Sequence, residues 1–401
     1  MTALRAWVKR VGKNGYWDKA QSNPCNHFHP VAVISPMKVL ALASYPIEAA
    51  ATRFRLQQFV GPLAERDIAL TIHPFLDSQL FENLYHQGSF PRTALGFLKS
   101  SILRLGDVMS ARQADVILVQ REAMMYGPPL IEWLTSQALK RPMVLDLDDA
   151  TYVSYTSPTY GGLGKALKWF SKTDDLIRWA KIVTCGNRSI AEYVSSKGVE
   201  ARIIPTVVDT DVFRPVERAA SNGPVVLGWI GTHSTFPYLE SIFPALRRLA
   251  DKHEFRLKVV GAGRDEISPS GVTIENEPWQ MEREVEDFQF IDVGLYPLDA
   301  SMYAGWAAGK SGFKAIQYMS VGVPYVATPV GASAEIGEPG TTHLFASTQD
   351  EWYGALETLI TDATRRREMG RAGRRHAVAN YGLPAQADKL SQALREAAQR
   401  A

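Results

Sequence analysis

Gly309-Lys310-Ser311-Gly312-Phe313-Lys314-Ala315-Ile316-Gln317-Tyr318-Met319-Ser320-Val321-Gly322-Val323-Pro324 is the stretch on which the reading of this chain turns. An apolar strand run, Leu295-Tyr296-Pro297-Leu298, lies one loop upstream. The spacing predicts a helix over Ser311–Val321, stopped by Gly322, which tolerates the left-handed conformation, and by Pro324. Strand, loop, helix and stop make one unit of an alternating α/β chain. Lys310 is expected at the helix start, with Lys314 one turn later on the same face. A helix N-terminus carries about half a positive charge and unpaired N–H groups. Two ammonium groups there weaken the helix unless an anion is present, so the pattern points to a diphosphate. A pair of merely solvated lysines is the competing reading.

The same alternation extends both ways from this unit. Upstream, Lys38–Ala43, Ile68–Pro74, Asp115–Gln120, Met143–Leu147, Ile182–Cys185 and Ala201–Ile204 read as short apolar strands, the kind buried in parallel sheets. Helical spacing appears between them, at Phe54, Phe59, Leu63 and Ala64 and over Pro129–Leu139. Residues 214–224 turn polar and punctuated, as a linker does. Beyond it Val225–Ile230, Arg256–Val260, Val293–Pro297 and Tyr325–Thr328 read as strands. Phe236–His253, Val285–Phe290, Gln349–Thr361, Arg365–Asn380 and Pro384–Arg400 read as helices. The expected fold is α/β: two doubly wound, Rossmann-like parallel-sheet domains over residues 37–213 and 225–383, facing across a cleft. Ligands in such sheets bind beyond the carboxyl ends of the strands, so chemistry belongs in the loops that open the next helix.

The chain has 401 residues, 46% hydrophobic and 21% charged, enough for two or three soluble cores. Two cysteines, Cys25 and Cys185, exclude a disulfide framework and a Cys-rich zinc site, and suit a reducing compartment. Residues 1–206 hold 24 basic and 17 acidic groups, net +7; the remainder holds 20 and 25, net −5. The basic excess is modest and carries no nucleic-acid-binding motif, so no nucleic acid is expected. No run of 18 apolar residues spans a membrane. Residues 1–36 lack the apolar block of a signal peptide. Two readings of them stand: a start set upstream of the folded protein at Met37, or a short basic amphipathic helix lying on a membrane. Phe97–Leu105 is basic and apolar together, the pattern of a membrane-docking helix as much as of a packed one. A cytoplasmic protein is the expectation, with peripheral contact at the inner face of an anionic membrane as one of two readings. The eight histidines show no metal-ligand spacing, and only His233 sits in a promising loop.

Other loops past strands carry polar groups. Gly231-Thr232-His233-Ser234-Thr235 can bring N–H groups to a phosphate, or be a plain turn capped by Thr232 or Ser234. Gly331-Ala332-Ser333-Ala334-Glu335 is similarly placed, and Glu335 would alternatively complement a helix N-terminus. Asp146-Leu147-Asp148-Asp149 sets three carboxylates so close that they need partners to ionise together. Clustered aspartates also suit magnesium. Arg53 and Arg55 open a helix after Ser44-Tyr45-Pro46; arginine forks hold phosphates, although exposed surface arginines are as good a reading. Gly186-Asn187-Arg188 is expected to face the cleft.

The motif Gly-Lys-Ser-Gly-Phe-Lys-x-x-Gln-Tyr-Met-x-x-Gly-x-Pro is followed by Ala327-Thr328-Pro329-Val330-Gly331 and Ala334-Glu335-Ile336. Upstream stand Gly228-Trp229-Ile230-Gly231-Thr232 and Ile204-Pro205-Thr206-Val207-Val208-Asp209. In this order and spacing they resemble the family 4 glycosyltransferases, over roughly residues 37–400. The resemblance implies the GT-B architecture, a final helix crossing back to the first domain, a nucleotide-diphosphate sugar as co-substrate, and retention at the anomeric carbon. It implies no resident metal or other cofactor. Many members carry two glutamates eight positions apart; the matching positions here are Gly309 and Gln317. The usual arginine and lysine after the first strand of the second domain are also absent.

The resemblance places Gln317 at the ribose and Glu335 with Gly331 at the donor sugar. The Gly231, Thr232 and His233 loop falls on the donor side, and Asp148 at a position that touches the sugar. Lys310 and Lys314 take the leaving diphosphate and, with Asp148, form the expected catalytic set. Arg53, Arg55, Asp149 and Asn187 fall on the acceptor side. The expected activity is transfer from a UDP- or GDP-linked sugar to a glycan or lipid-linked acceptor in cell-surface polysaccharide assembly. Two alternatives stand beside it. One is a catalytically silent GT-B subunit binding a partner transferase, favoured by Gly309; the other is a nucleotide-sugar epimerase.

Overall fold

The computed structural model describes residues 35–83, 90–154, 168–217, 223–267, 271–298 and 309–400. The expected leader, residues 1–36, lies almost wholly outside them. The first half runs β1 (Met37–Ala43), α1 (Ala50–Arg55), α2 (Val60–Ala64), β2 (Ile68–Pro74), α3 (Ser78–Asn83), α4 (Phe90–Ala111) and β3 (Val116–Gln120). It continues through α5 (Leu130–Trp133), β4 (Met143–Leu147), α6 (Lys172–Trp179), β5 (Ile182–Cys185), α7 (Arg188–Ser196) and β6 (Ala201–Ile203). The second half holds β7 (Val225–Ile230), α8 (Phe236–Ser241), α9 (Phe243–Ala250), β8 (Phe255–Val260), β9 (Thr273–Glu277), α10 (Glu284–Gln289) and β10 (Val293–Tyr296). It ends with α11 (Phe313–Ser320), β11 (Tyr325–Ala327), β12 (His343–Phe345), α12 (Gln349–Thr361), α13 (Ala363–Tyr381) and α14 (Leu383–Gln399).

Each half builds one six-stranded sheet, in the orders β2-β1-β3-β4-β5-β6 and β12-β11-β10-β7-β8-β9. The named pairs are all parallel. The apolar runs form central strands because both faces are covered. Val39, Ala41 and Ala43 of β1 pack into one core, and Leu40 and Leu42 into another. Strand order reverses between β1 and β3 in the first sheet and between β7 and β10 in the second. Crevices for ligands open at such switch points.

Several elements differ from the sequence reading, each for a local reason. The helix expected over Phe236–His253 is two, because Pro244 sits in the first turn of α9 and has no N–H to continue α8. The Phe54–Ala64 helix is α1, a 3-10 turn and α2; Pro129–Leu139 is α5 followed by a π turn. Strands β9 and β12 carry little signal, being an edge strand of sequence Thr-Ile-Glu-Asn-Glu and one of three residues.

The chain ends on the domain where it began. Leu383, Ala387, Leu390, Ala393, Leu394 and Ala397 of α14 are buried in the same core as Val39 and Leu118. Arg374 of α13 locks the crossing, donating to the carbonyls of Thr210, Phe213 and Ser320 at 2.8–2.9 Å. Between the domains, Phe54 of α1 packs with Phe213, Phe288 and Tyr318 in one apolar cluster. Leu394→Ala should therefore lower the unfolding free energy by about 2–5 kcal/mol in denaturant titration. An unchanged midpoint would mean that α14 contributes nothing to the first core.

Candidate functional site

The carboxyl ends of β1, β3, β4 and β5 form one wall of the cleft. Arg121, the first residue past β3, has φ 61°. That left-handed backbone is uncommon for a side-chain-bearing residue and persists where surroundings enforce it. Here its N–H donates to the Asp146 carbonyl at 2.8 Å. Its guanidinium donates to both Asp148 oxygens at 2.5 and 2.7 Å and to Asp149 at 2.9 Å. Burial pushes the Asp148 carboxyl up, but Arg121, joined by Arg55 and a backbone hydrogen bond, leaves the group below the usual range. Asp146 is held by Arg55, whose Nε donates at 3.0 Å, and by the Thr184 hydroxyl at 2.6 Å. Each of the three carboxylates is therefore paired with an arginine. Among the described residues no three His, Cys, Asp or Glu side chains converge as metal ligands.

The second wall is the loop into α11. The helix begins at Phe313, not Ser311, because Gly312 at its N-cap has φ 64° and breaks the helical run. A Cβ at Gly312 would also meet Ile336 at 2.2 Å. Lys310 thus precedes the helix by a loop and does not share its face with Lys314, which corrects the sequence reading. The Lys310 ammonium sits 3.9 Å from Asp149 across the cleft, and its carbonyl accepts from Asn187 Nδ2 at 3.0 Å. Desolvation lowers its pKa, opposed by Asp149. Lys314 donates to Gln317 Oε1 at 3.0 Å, and Gln317 Nε2 donates to Glu284 at 3.3 Å. Desolvation, opposed by Glu284, pulls the Lys314 ammonium down to about 8. Tyr318 fixes α11 on the sheet by donating to the Gly228 carbonyl at 2.9 Å.

The walls touch. Arg53 donates to Glu284 at 2.8 Å with under a tenth of either side chain exposed. Arg188 lies 3.7 Å from Glu335 at the open edge. At Gly309 the approach leaves no room for a side chain: a Cβ there would stand 2.2 Å from the Ala150 Cβ.

Of the residues named from sequence, Lys310, Asp148, Asp149 and Asn187 converge in one place. Lys314 and Gln317 form a second group with Arg53. Gln317 is fully buried and Arg55 is occupied by Asp146 and the Ile204 carbonyl, so neither presents a free edge in this conformation. Arg53 and Arg55 are not surface arginines, since both are buried. Thr232 and His233 are exposed at the end of β7, and the residue at the α8 N-cap is Thr235 rather than Thr232 or Ser234. Gly331 opens a 3-10 turn that Glu335 closes, so Glu335 complements no helix N-terminus. Two contributors went unread: Arg121, findable as a cation one step past a strand at the switch point, and Glu284, which nothing local marks. A cavity of about 310 Å³ at the end of β2, between His73 and Arg104, contains none of these residues.

Residues 224–362 match the family described as Glycosyl transferases group 1. No curated protein sequence matches the chain. Among solved structures, sucrose-phosphate synthase from Thermosynechococcus elongatus is 15% identical, covering 91% of this chain and 100% of its own, with a TM-score of 0.61. HepE from Anabaena, solved in complex with UDP-glucose, is 14% identical over 90% of this chain and 100% of its own, at 0.63. A glycosyltransferase from Rickettsia africae is 12% identical over 91% and 100%, at 0.65. These likenesses establish the fold as GT-B, as expected from sequence.

The Gly309–Ala150 contact gives a test of closure. Gly309→Ala should hold the domains apart and raise the radius of gyration in small-angle X-ray scattering, and adding Ala150→Gly should restore it. An unchanged profile in Gly309→Ala would show that this contact does not limit closure.

Proposed function

We propose that the chain is a retaining glycosyltransferase of the family 4 type, moving a sugar from a UDP- or GDP-linked donor to a glycan or lipid-linked acceptor in cell-surface polysaccharide assembly. The observation that carries this reading is a coincidence of place. The segment matching a glycosyltransferase family contains the loop that sets desolvated Lys310 against Asp149 of the Arg121–aspartate wall, and helix α11, whose desolvated Lys314 lies with Gln317 and Glu284. HepE, of the same fold, is described with UDP-glucose and with UDP and glucose bound.

In this reading the bond from the anomeric carbon to the diphosphate breaks, the acceptor oxygen bonds to that carbon on the same face, and its proton passes to an oxygen of the leaving diphosphate. Charge builds on the leaving diphosphate. Lys310 and Lys314 receive it, and each such donor contributes on the order of 3 kcal/mol. Asp148 and Asp149, fixed by Arg121, orient sugar hydroxyls from the facing wall. Gln317 would reach the ribose once the Glu284 contact loosens, and Glu335 with Gly331 lies at the open edge. The Gly231–His233 loop takes the donor side, and Asn187 the acceptor side. The reading requires no resident metal.

One observation favours the second reading, a silent subunit that binds a partner transferase: Gly309, where the family 4 resemblance implies a glutamate, contacts Ala150 too closely for any side chain.

A nucleoside diphosphate at 100 times its dissociation constant stabilises a protein by about 2.7 kcal/mol. UDP or GDP should therefore raise the melting temperature of the chain, and Lys310→Ala should abolish the rise. No shift with either would favour the silent subunit. The ionised Lys314 binds the diphosphate, whose charge raises its pKa above the free value of about 8. Affinity is then level below pH 8 and falls as pH rises beyond it, by up to about tenfold per unit. Lys314→Arg, charged throughout, should flatten that profile. A decline that persists in the arginine variant would assign it elsewhere.

A further inference from the structure

Helix α4 turns one side to the first sheet and leaves the other bare. Leu95, Leu98, Ile102, Leu105 and Met109 are each between 51% and 68% exposed. Their spacing of three, four, three and four residues keeps them within about 80° of arc at 100° per residue, a continuous stripe along the helix. Leu103, also exposed, widens it on one side. The opposite side carries Arg104, which is buried and donates to the carbonyls of Ala43 and His73 at 2.8 and 2.9 Å. That pins the helix to the carboxyl ends of β1 and β2, so the stripe is held outward by the core of the domain. Apolar surface this contiguous marks an interaction site on a folded protein.

Charge decides the partner. Lys99 and Arg112 are exposed and fall on opposite edges of the stripe. Asp107 is the single acid between residues 95 and 113, and it is taken up by Arg104 at 2.8 Å and His73 at 2.6 Å. A second copy docked through a two-fold axis would bring like-charged edges together with no exposed acid on the helix to answer them. An anionic lipid surface meets both features, taking the apolar stripe into its interface and the cations at its headgroups. We propose that α4 docks the protein on an anionic lipid bilayer, with Leu98, Ile102 and Leu105 inserted and Lys99 and Arg112 at the headgroups. Through Arg104, docking sets the carboxyl end of β1, part of the first wall of the cleft, on the membrane side of the domain. The binding measured needs no turnover, so it stands or falls separately from the transferase reading.

The test is sedimentation of the purified full chain with vesicles of phosphatidylcholine alone or with about one-third phosphatidylglycerol. The expected result is binding to the anionic vesicles, weakened about tenfold or more by Leu98→Asp with Leu105→Asp. Lys99→Glu with Arg112→Glu should lose the preference for phosphatidylglycerol. All these positions are exposed, and an unchanged melting temperature verifies folding. Three results would overturn the proposal: no binding by the native chain, binding indifferent to the stripe variants, or a dimer in light scattering that the aspartate pair dissolves.

Discussion

The ion pair between Arg53 and Glu284 joins positions 231 residues apart, buried where the two sheets face each other. Burying both charges costs several kcal/mol, recovered only while the two stay in contact, and removing one partner strands the other in a low-dielectric site. The pair therefore acts as an all-or-none link between the domains. Arg53 is further held by the Glu48 carbonyl at 3.1 Å and lies over the Phe54 and Trp279 rings. The second oxygen of Glu284 takes Gln317, and Gln317 takes Lys314. The ionisation of Lys314 is thereby tied to the contact between domains, because Arg53 of the first domain opposes its charge and Glu284 of the second favours it.

The same logic orders the facing wall. Asp146, Asp148 and Asp149 repel one another, and the fold answers with arginines from two other elements, Arg55 of α1 and Arg121 beyond β3. The wall becomes a rigid, nearly neutral surface, with Lys310 beside Asp149, which is partly exposed. In the proposed reaction such a surface suits a donor that brings its own negative charge. Its cations are already desolvated and positioned, so little reorganisation accompanies charge development.

Much of the fold was legible because its signal is local. The strand runs at Met143–Leu147, Ile182–Cys185 and Val225–Ile230 coincide with β4, β5 and β7, since parallel strands covered on both faces are largely apolar, and the run at Ile68–Pro74 coincides with the edge strand β2. The misreadings have equally local causes that periodicity does not register: Pro244 dividing one helix, and the left-handed Gly312 delaying α11 by two residues. That delay moved Lys310 off the helix and onto the cleft edge.

The sequence by itself determined two alternating α/β halves and the loops at the strand ends that carry the polar residues. Those properties repeat every two or 3.6 residues along a single backbone. The tertiary structure decided which charges meet. Arg53 finds Glu284, Arg121 finds Asp148, and Gly309 finds Ala150 through loops far apart in the chain. Such pairings depend on distance and desolvation, which no pattern of neighbouring residues encodes. So Arg55, readable from sequence as an acceptor ligand or a surface cation, became the buried partner of Asp146 once β4 was laid beside it.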